Sequence, residues 1–305
     1  MAGGRAVGRT ILGAAGLAAG CVAYGHFVEL SAFRLRRFRV PLLAPGSAPV
    51  RILHLSDIHL LPAHGKKQTW ISLLAGLEPD LVVSTGDSLS SDSALDHLEG
   101  ALGRLLDAPG VFVFGSNDYY RPTMKNPLDY IVKGPSSSDV RDRAMLDTEA
   151  LRGLFTDRGW LDLNNAAGSL EVQGHRIEFR GTDDPHIRRD DYAAVAGPPD
   201  PSADLHIGVV HAPYARVLDA MTADGMDLLL AGHTHGGQVC LPGYGALVTN
   251  CDLDRDRVKG LSTHTAEGRT AALHVSAGLG TSPFAPYRFA CRPEATLLTL
   301  QPRMR

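Results

Sequence analysis

The sequence predicts an α/β domain: a mostly parallel sheet with helices on its faces, and further strands that suit a second sheet packed on the first. Three observations predict it. Five short apolar runs recur between Val50 and Ala231, helix-like stretches separate several of them, and a further set of alternating runs remains for additional strands. At 305 residues the chain holds one large domain or two small ones. No internal repeat is present.

Taken in order, the chain opens on an uncharged segment. Ile11 to Tyr24 is mostly Ala, Gly and Leu, follows Arg5 and Arg9, and extends to Val28 if His26 is allowed. A bilayer span needs roughly 20 apolar residues, so residues 1–30 read as a marginal membrane anchor or a signal-like apolar helix. Leu17-Ala18-Ala19-Gly20-Cys21 loosely resembles a lipoprotein cleavage site, with Cys21 as the lipid acceptor. The expected location is the cell membrane, on a side left open. Arg34, Arg36, Arg37 and Arg39 outnumber Arg5 and Arg9, which by the positive-inside rule keeps the domain cytoplasmic. The same arginines suit anionic head groups. Residues 31–49, basic and then rich in proline, read as a linker, and residues 50–305 as the globular domain.

The five apolar runs are Val50–Leu55, Asp80–Ser84, Gly110–Phe114, Leu205–Val210 and Met226–Ala231. Each has the length of a buried strand. Helices are expected over Gln68–Leu77, Leu95–Leu106 and Tyr214–Asp224. Ser169–Val172, Arg176–Arg180, Ala271–Val275 and Ala295–Leu300 alternate and supply the additional strands. Gly134 to Asp139 and Gly197 to Ala203 read as surface loops, and Tyr119 to Asp147 as an insert over the site.

Composition excludes some function classes. The net charge of −3 gives no global basic field, and no run of stacking aromatics is present, so nucleic acid is not expected as a partner. The four cysteines show no CxxC spacing, which argues against a thiolate zinc site. Pairing among Cys240, Cys251 and Cys291 stays open beside the reading of buried free thiols.

Each of the five runs ends in polar residues: Ser56-Asp57-Ile58-His59, Thr85-Gly86-Asp87-Ser88, Gly115-Ser116-Asn117-Asp118, His211-Ala212-Pro213 and Gly232-His233-Thr234-His235. In open α/β sheets the site lies beyond the carboxyl ends of the strands, so the five clusters are expected to meet. Asp, Asn and His together suit Mn, Fe or Zn. Asp57, His59, Asp87, Asn117, His211, His233 and His235 are more ligands than one ion needs, and enough for two divalent metal ions.

The order Asp-x-His, Gly-Asp, Gly-(x)-Asn, His, Gly-His-x-His resembles the calcineurin-like metallophosphoesterase family from about Val50 to the C-terminus. Gly232-His233-Thr234-His235-Gly236-Gly237-Gln238, Gly278 to Ser282, Tyr287-Arg288-Phe289 and Pro293-Glu294 look like its membrane-associated bacterial members with an N-terminal anchor. The resemblance implies a sandwich of two mixed sheets flanked by helices. It also implies a first metal on Asp57, His59 and His235, a second on Asn117, His211 and His233, and Asp87 as the bridge. The implied reaction is phosphoester hydrolysis by a hydroxide between the metals.

One motif departs from that pattern. The family's Gly-Asn-His-Asp/Glu is Gly115-Ser116-Asn117-Asp118 here. Matching glycines puts Ser116 in the ligand place and Asn117 in the histidine place. Matching from Gly110 puts Asn117 and Asp118 there, and is preferred because an amide oxygen is the better ligand. In either register the histidine that protonates the leaving group is missing. An Asp beside two cations should be ionised and a poor acid, so either the substrate has a leaving group that departs unprotonated, such as an aryl phosphate or a diphosphate, or another histidine substitutes, for which His186 in Gly181-Thr182-Asp183-Asp184-Pro185-His186 is the candidate. The expected substrate is a phosphorylated small molecule or a lipid-linked phosphomonoester or diphosphate near a membrane. The alternatives are a nuclease, a cyclic-nucleotide phosphodiesterase and a non-catalytic metal or phosphate binder.

Overall fold

The computed structural model describes residues 16, 18–124, 140 and 142–303. Residues 1–15 and 17, which carry much of the uncharged N-terminal segment, and the loop at 134–139 lie outside the described residues. Residues 18–27 are helical. No helix among the described residues is long and apolar enough to cross a membrane.

The strands are β1 (Arg34–Leu43), β2 (Val50–Leu55), β3 (Leu81–Ser84), β4 (Gly110–Phe112), β5 (Leu161–Asp162), β6 (Ala166–Val172), β7 (His175–Gly181), β8 (Leu205–Val209), β9 (Leu228–Ala231), β10 (Cys240–Leu241), β11 (Gly245–Ala246), β12 (Gly260–Ala266), β13 (Arg269–Val275) and β14 (Glu294–Pro302). The α-helices are α1 (Gly65–Leu73), α2 (Leu95–Leu102), α3 (Ser116–Tyr119), α4 (Thr148–Thr156) and α5 (Ala215–Ala223). Six strands form one sheet in the order β1-β14-β2-β3-β4-β5, and six form another in the order β12-β13-β9-β8-β7-β6. Both sheets are mixed. In the first only β14–β2 is antiparallel; in the second β12–β13 and β6–β7 are.

Strand periodicity explains the layers. Ile52, Val83, Val111 and Leu300 point into a core shared with Ile177, Phe179, Ile207 and Leu230 of the other sheet. Their neighbours Leu53, Val82 and Phe112 point the other way, against Ile71, Leu98 and Phe155 of α1, α2 and α4. On the far side Val217, Leu218 and Met221 of α5 pack on Leu229 and Leu273. Strands covered on both faces read as continuous apolar runs, which is why the central ones stand out in the sequence.

Two departures have physical causes. The stretch expected as linker, residues 31–49, contains the ten-residue edge strand β1, paired in parallel with β14. Its arginines and Pro41 disguised it; both are what an edge strand tolerates, because one side of its backbone is unpaired. β12, with Ser, Thr and His in place of an apolar run, was not expected at all. It is held by its ladder to β13 and by the His264 to Asp219 contact of 2.7 Å onto α5.

Candidate metal centre

The polar clusters follow β2, β3 and β4 of one sheet and β8 and β9 of the other, at the carboxyl ends of parallel strands. The first two loops extend the ladder beyond the strands: Asp57 N–H donates to the Gly86 carbonyl and His59 N–H to that of Asp87, each at 2.9 Å. Asp57, His59, Asp87, His233 and His235 all have positive φ, between 44° and 67°. Each such residue costs roughly 1 kcal/mol or more. Five candidate ligands sharing this cost mark a site over-determined by its surroundings.

Those surroundings leave little room. A Cβ on Gly232 would lie 1.9 Å from Ser56 Oγ and 2.7 Å from Asp57 Oδ2. A Cβ on Gly115 would lie 2.3 Å from Asp87 Oδ1 and 2.5 Å from the His211 ring.

The side chains converge. Ligand atoms of Asp57, His59 and His235 lie within 4.8 Å of one another, and so do those of Asp57, Asp87 and His211. Asp87 Oδ2 stands 3.3 Å from His59 Nε2 and 3.8 Å from His211 Nε2, between the two groups. His233 Nδ1 is 3.2 Å from His211 Nε2. Asn117 donates to Asp87 through its backbone N–H at 2.8 Å and its side-chain amide at 2.7 Å. The outer ring nitrogens are held by protein oxygens: His211 Nδ1 at 2.6 Å from the Thr85 carbonyl, His235 Nδ1 at 3.0 Å from that of Gly280, and His233 Nε2 at 3.1 Å from that of Asn250. Such bonds fix the tautomer and turn the other nitrogen inward.

The donors fit divalent ions. His59 is 1% exposed and neither ring nitrogen has a hydrogen-bond partner. Burial lowers the pKa of His59 to about 4 and those of His233 and His235 well below the usual value, which leaves neutral imidazoles. Burial raises Asp57 to about 6 and Asp184 to about 7. Burial opposes charge on Asp87 too, but His211, His59 and the two Asn117 hydrogen bonds hold it below the usual carboxylate range. Burial likewise works against His211⁺, yet Asp87, Asp184 and Asp57 raise it to about 9. The carboxylates thus demand a positive charge at their centre, which a metal supplies in place of the His211 proton.

The third motif is placed as follows. Asp118 is 1% exposed and its two oxygens accept backbone N–H bonds from Asp87, Ser88 and Gly115 at 2.6, 2.7 and 2.9 Å. Ser116 and Asn117 line a cavity of about 230 Å³ that also takes in His59, Asp87, His233 and His235. His186 lines the same cavity. It is buried, its ring centroid 4.5 Å from that of His233 and its Nδ1 3.0 Å from Tyr214 Oη.

Three residues were not singled out by chemistry in the sequence. Asp184 is fully buried, accepts the His186 N–H through Oδ1, and its Oδ2 has no hydrogen-bond partner. Arg288, also fully buried, donates to the carbonyls of Ala277, Gly278, Gly280, Cys291 and His235, tying together the loops behind His235 and Asp57. Gln238 donates to the carbonyls of Ala285 and Tyr287. The Gly-Gly-Gln and Tyr-Arg-Phe strings were the available signals for the last two.

A two-sheet sandwich with this cluster at its strand ends defines a metal-dependent phosphoesterase. The chain belongs to the calcineurin-like phosphoesterase family, whose profile matches residues 50–237. Members typically bind two divalent metals, and Asp57, His59, Asp87 and His211 are candidate ligands here. Phosphodiesterase YaeI of Escherichia coli is 27% identical, over 91% of this chain and 92% of its own. Uncharacterized protein YpbG of Bacillus subtilis is also 27% identical, over 91% and 89%. A bovine transmembrane protein with metallophosphoesterase domain is 30% identical over 85% of this chain and 54% of its own.

Proposed function

We propose that the protein is a binuclear metal-dependent phosphoester hydrolase acting on a membrane-associated phosphomonoester or diphosphate. The observation that carries the binuclear reading is the position of Asp87 Oδ2, shared between His59 and His211. Asp57, His59 and His235 would hold one ion, and His211 and His233 the other, with Asp87 common to both. When bound, the ions supply Lewis acidity and an activated water at neutral pH.

The protein's own groups have separable roles. The three N–H bonds to Asp118 support the register that matches glycine to glycine, with Asp118 holding the loop that carries Asp87. Asn117 then orients Asp87 and faces the phosphoryl group, and Ser116 stands in the remaining ligand place. His186, held by Tyr214 and with its ring tilted against that of His233, protonates the leaving group. Loss of such an acid costs about 10²- to 10⁴-fold. His186→Ala should therefore slow hydrolysis of an alkyl phosphate by roughly that factor and spare p-nitrophenyl phosphate, whose leaving group departs unprotonated. Equal losses on both substrates sink this role.

The parent reading is tested with the full chain loaded with Mn²⁺, Fe²⁺ or Zn²⁺. The panel holds p-nitrophenyl phosphate, bis-p-nitrophenyl phosphate, a nucleoside diphosphate sugar and a lipid phosphate. Asp87→Asn is the control, and wild-type rates no higher than its rates remove the catalytic reading. A diester preference is the second outcome; the name of the E. coli relative favours including it.

A further inference from the structure

The cavity beside the candidate ligands is lined by both polar and apolar side chains. Its apolar lining includes Leu247, Phe284 and Tyr287. Leu247 and Phe284 are also exposed, and so are Leu241 and Tyr244 on the β10–β11 hairpin that leads into Leu247. This hairpin and the segment at 284–290 are one piece. Val239 bridges to Phe289, Cys240 N–H donates to the Phe289 carbonyl, and Gln238 holds Ala285 and Tyr287.

The N-terminal helix at 18–27 is seated on that same piece. Arg288 N–H donates to the Gly25 carbonyl, the His26 ring meets the Pro286 carbonyl at 2.6 Å, and Tyr24 packs edge-on against Phe289. Val22, Phe27 and Val28 stay exposed there, Phe27 at 78%. In sequence, this helix belongs to the uncharged stretch that begins at Ile11. Exposed apolar side chains scattered singly are ordinary; a contiguous lip beside a cavity is a binding surface. Arg255 lies over the Tyr244 ring at 4.2 Å, which sets a cation beside this apolar group, a pairing suited to anionic head groups.

We propose that this lip, formed by Leu241, Tyr244, Leu247, Phe284 and the helix at 18–27, docks on a lipid bilayer, so that the cavity opens at the head-group level. The inference rests on the phosphoesterase reading only for its consequence, that a lipid-borne phosphate reaches the metals without leaving the membrane. A second protein as occupant is the competing outcome. The test uses the full chain in phosphatidylcholine vesicles, with Tyr244→Trp and, independently, Leu241→Trp. Thr270→Trp is the reference, exposed at the start of β13 and so at the end of its sheet away from the metal loops. With brominated lipid, an indole buried about 5–10 Å into the interface loses roughly half its emission. We expect that loss at 244 and 241 and none at 270, after subtraction of the unsubstituted protein. Quenching at 244 and 241 no greater than at 270 overturns bilayer docking. Hydrolysis of soluble p-nitrophenyl phosphate by the same samples reports separately on the phosphoesterase reading.

Discussion

Asp118 ties the loop that carries Asp87 to the loop that carries Asn117. Its carboxylate gathers three N–H groups, two of them from the loop that carries Asp87. Each buried donor left without its acceptor costs about 1–3 kcal/mol. Asp118→Ala should therefore destabilise the protein by about 3 kcal/mol or more, read from the urea midpoint. It should weaken metal binding and lower rates on alkyl and aryl phosphates alike. A loss confined to poor leaving groups would return Asp118 to the acid role and unseat His186. Gly232 makes the complementary case. Its missing Cβ is the space that Ser56 and Asp57 occupy. Gly232→Ala forces a shift costing about 1–3 kcal/mol. We expect reduced metal content at unchanged secondary structure, measured by elemental analysis and circular dichroism; full metal content in the variant contradicts the crowding argument.

At the scale of elements, β1 carries a practical consequence. Val40 and Leu43 are buried in the core between the sheets, and Glu29 just before β1 accepts the N–H groups of Ala290 and Cys291. Burying each aliphatic side chain is worth about 1.5–3 kcal/mol. A chain begun at residue 50 should thus be less stable than one begun at residue 28 by about 4 kcal/mol or more, with the unpaired edge of β14 prone to association. Equal urea midpoints for the two would return residues 31–49 to the role of a linker. The sequence made β2, β3, β4, β8 and β9 legible because both faces of each are buried. It made the ligand clusters legible because a polar string after an apolar run is conspicuous. β1 stayed hidden because its partner β14 lies more than 200 residues away and nothing local announces the pairing. The surroundings of Asp118 and His186 were not legible for the same reason: the Asp87 and Ser88 N–H groups around the one, and the Tyr214 and His233 rings beside the other, come from distant parts of the chain.

At the scale of the whole molecule, the candidate ligands come from both sheets, with Asp57, His59 and Asp87 on loops of one and His211, His233 and His235 on loops of the other. Without metal, the fold holds six histidines below their usual pKa: His54, His59, His64, His233, His235 and His274. The unfolded chain protonates them below about pH 6.5 while the fold resists, so their contribution is present above that pH and is lost as pH falls. Asp57, Asp118 and Asp184, raised to between about 6 and 7, act oppositely, because the fold retains protons that the unfolded chain has released above about pH 4. His211, raised to about 9, matters only above this window. Imidazoles outnumber the opposing carboxyls, so metal-free protein should lose stability between pH 6.5 and 4.5, by an amount on the order of 1 kcal/mol or more per pH unit. A divalent ion binds the neutral imidazoles and carboxylates, so it competes with the same protons. At 100 times its dissociation constant it adds about 2.7 kcal/mol. Thermal unfolding with and without Mn²⁺ at pH 6.5 and 4.5 measures both effects. We expect the metal-free Tm to fall on acidification and the Mn²⁺ increment to be larger at pH 6.5. A metal-free Tm that is level or rises towards pH 4.5 would show that the buried histidines are not held neutral. An equal increment at both pH values would show that they are not the ligands.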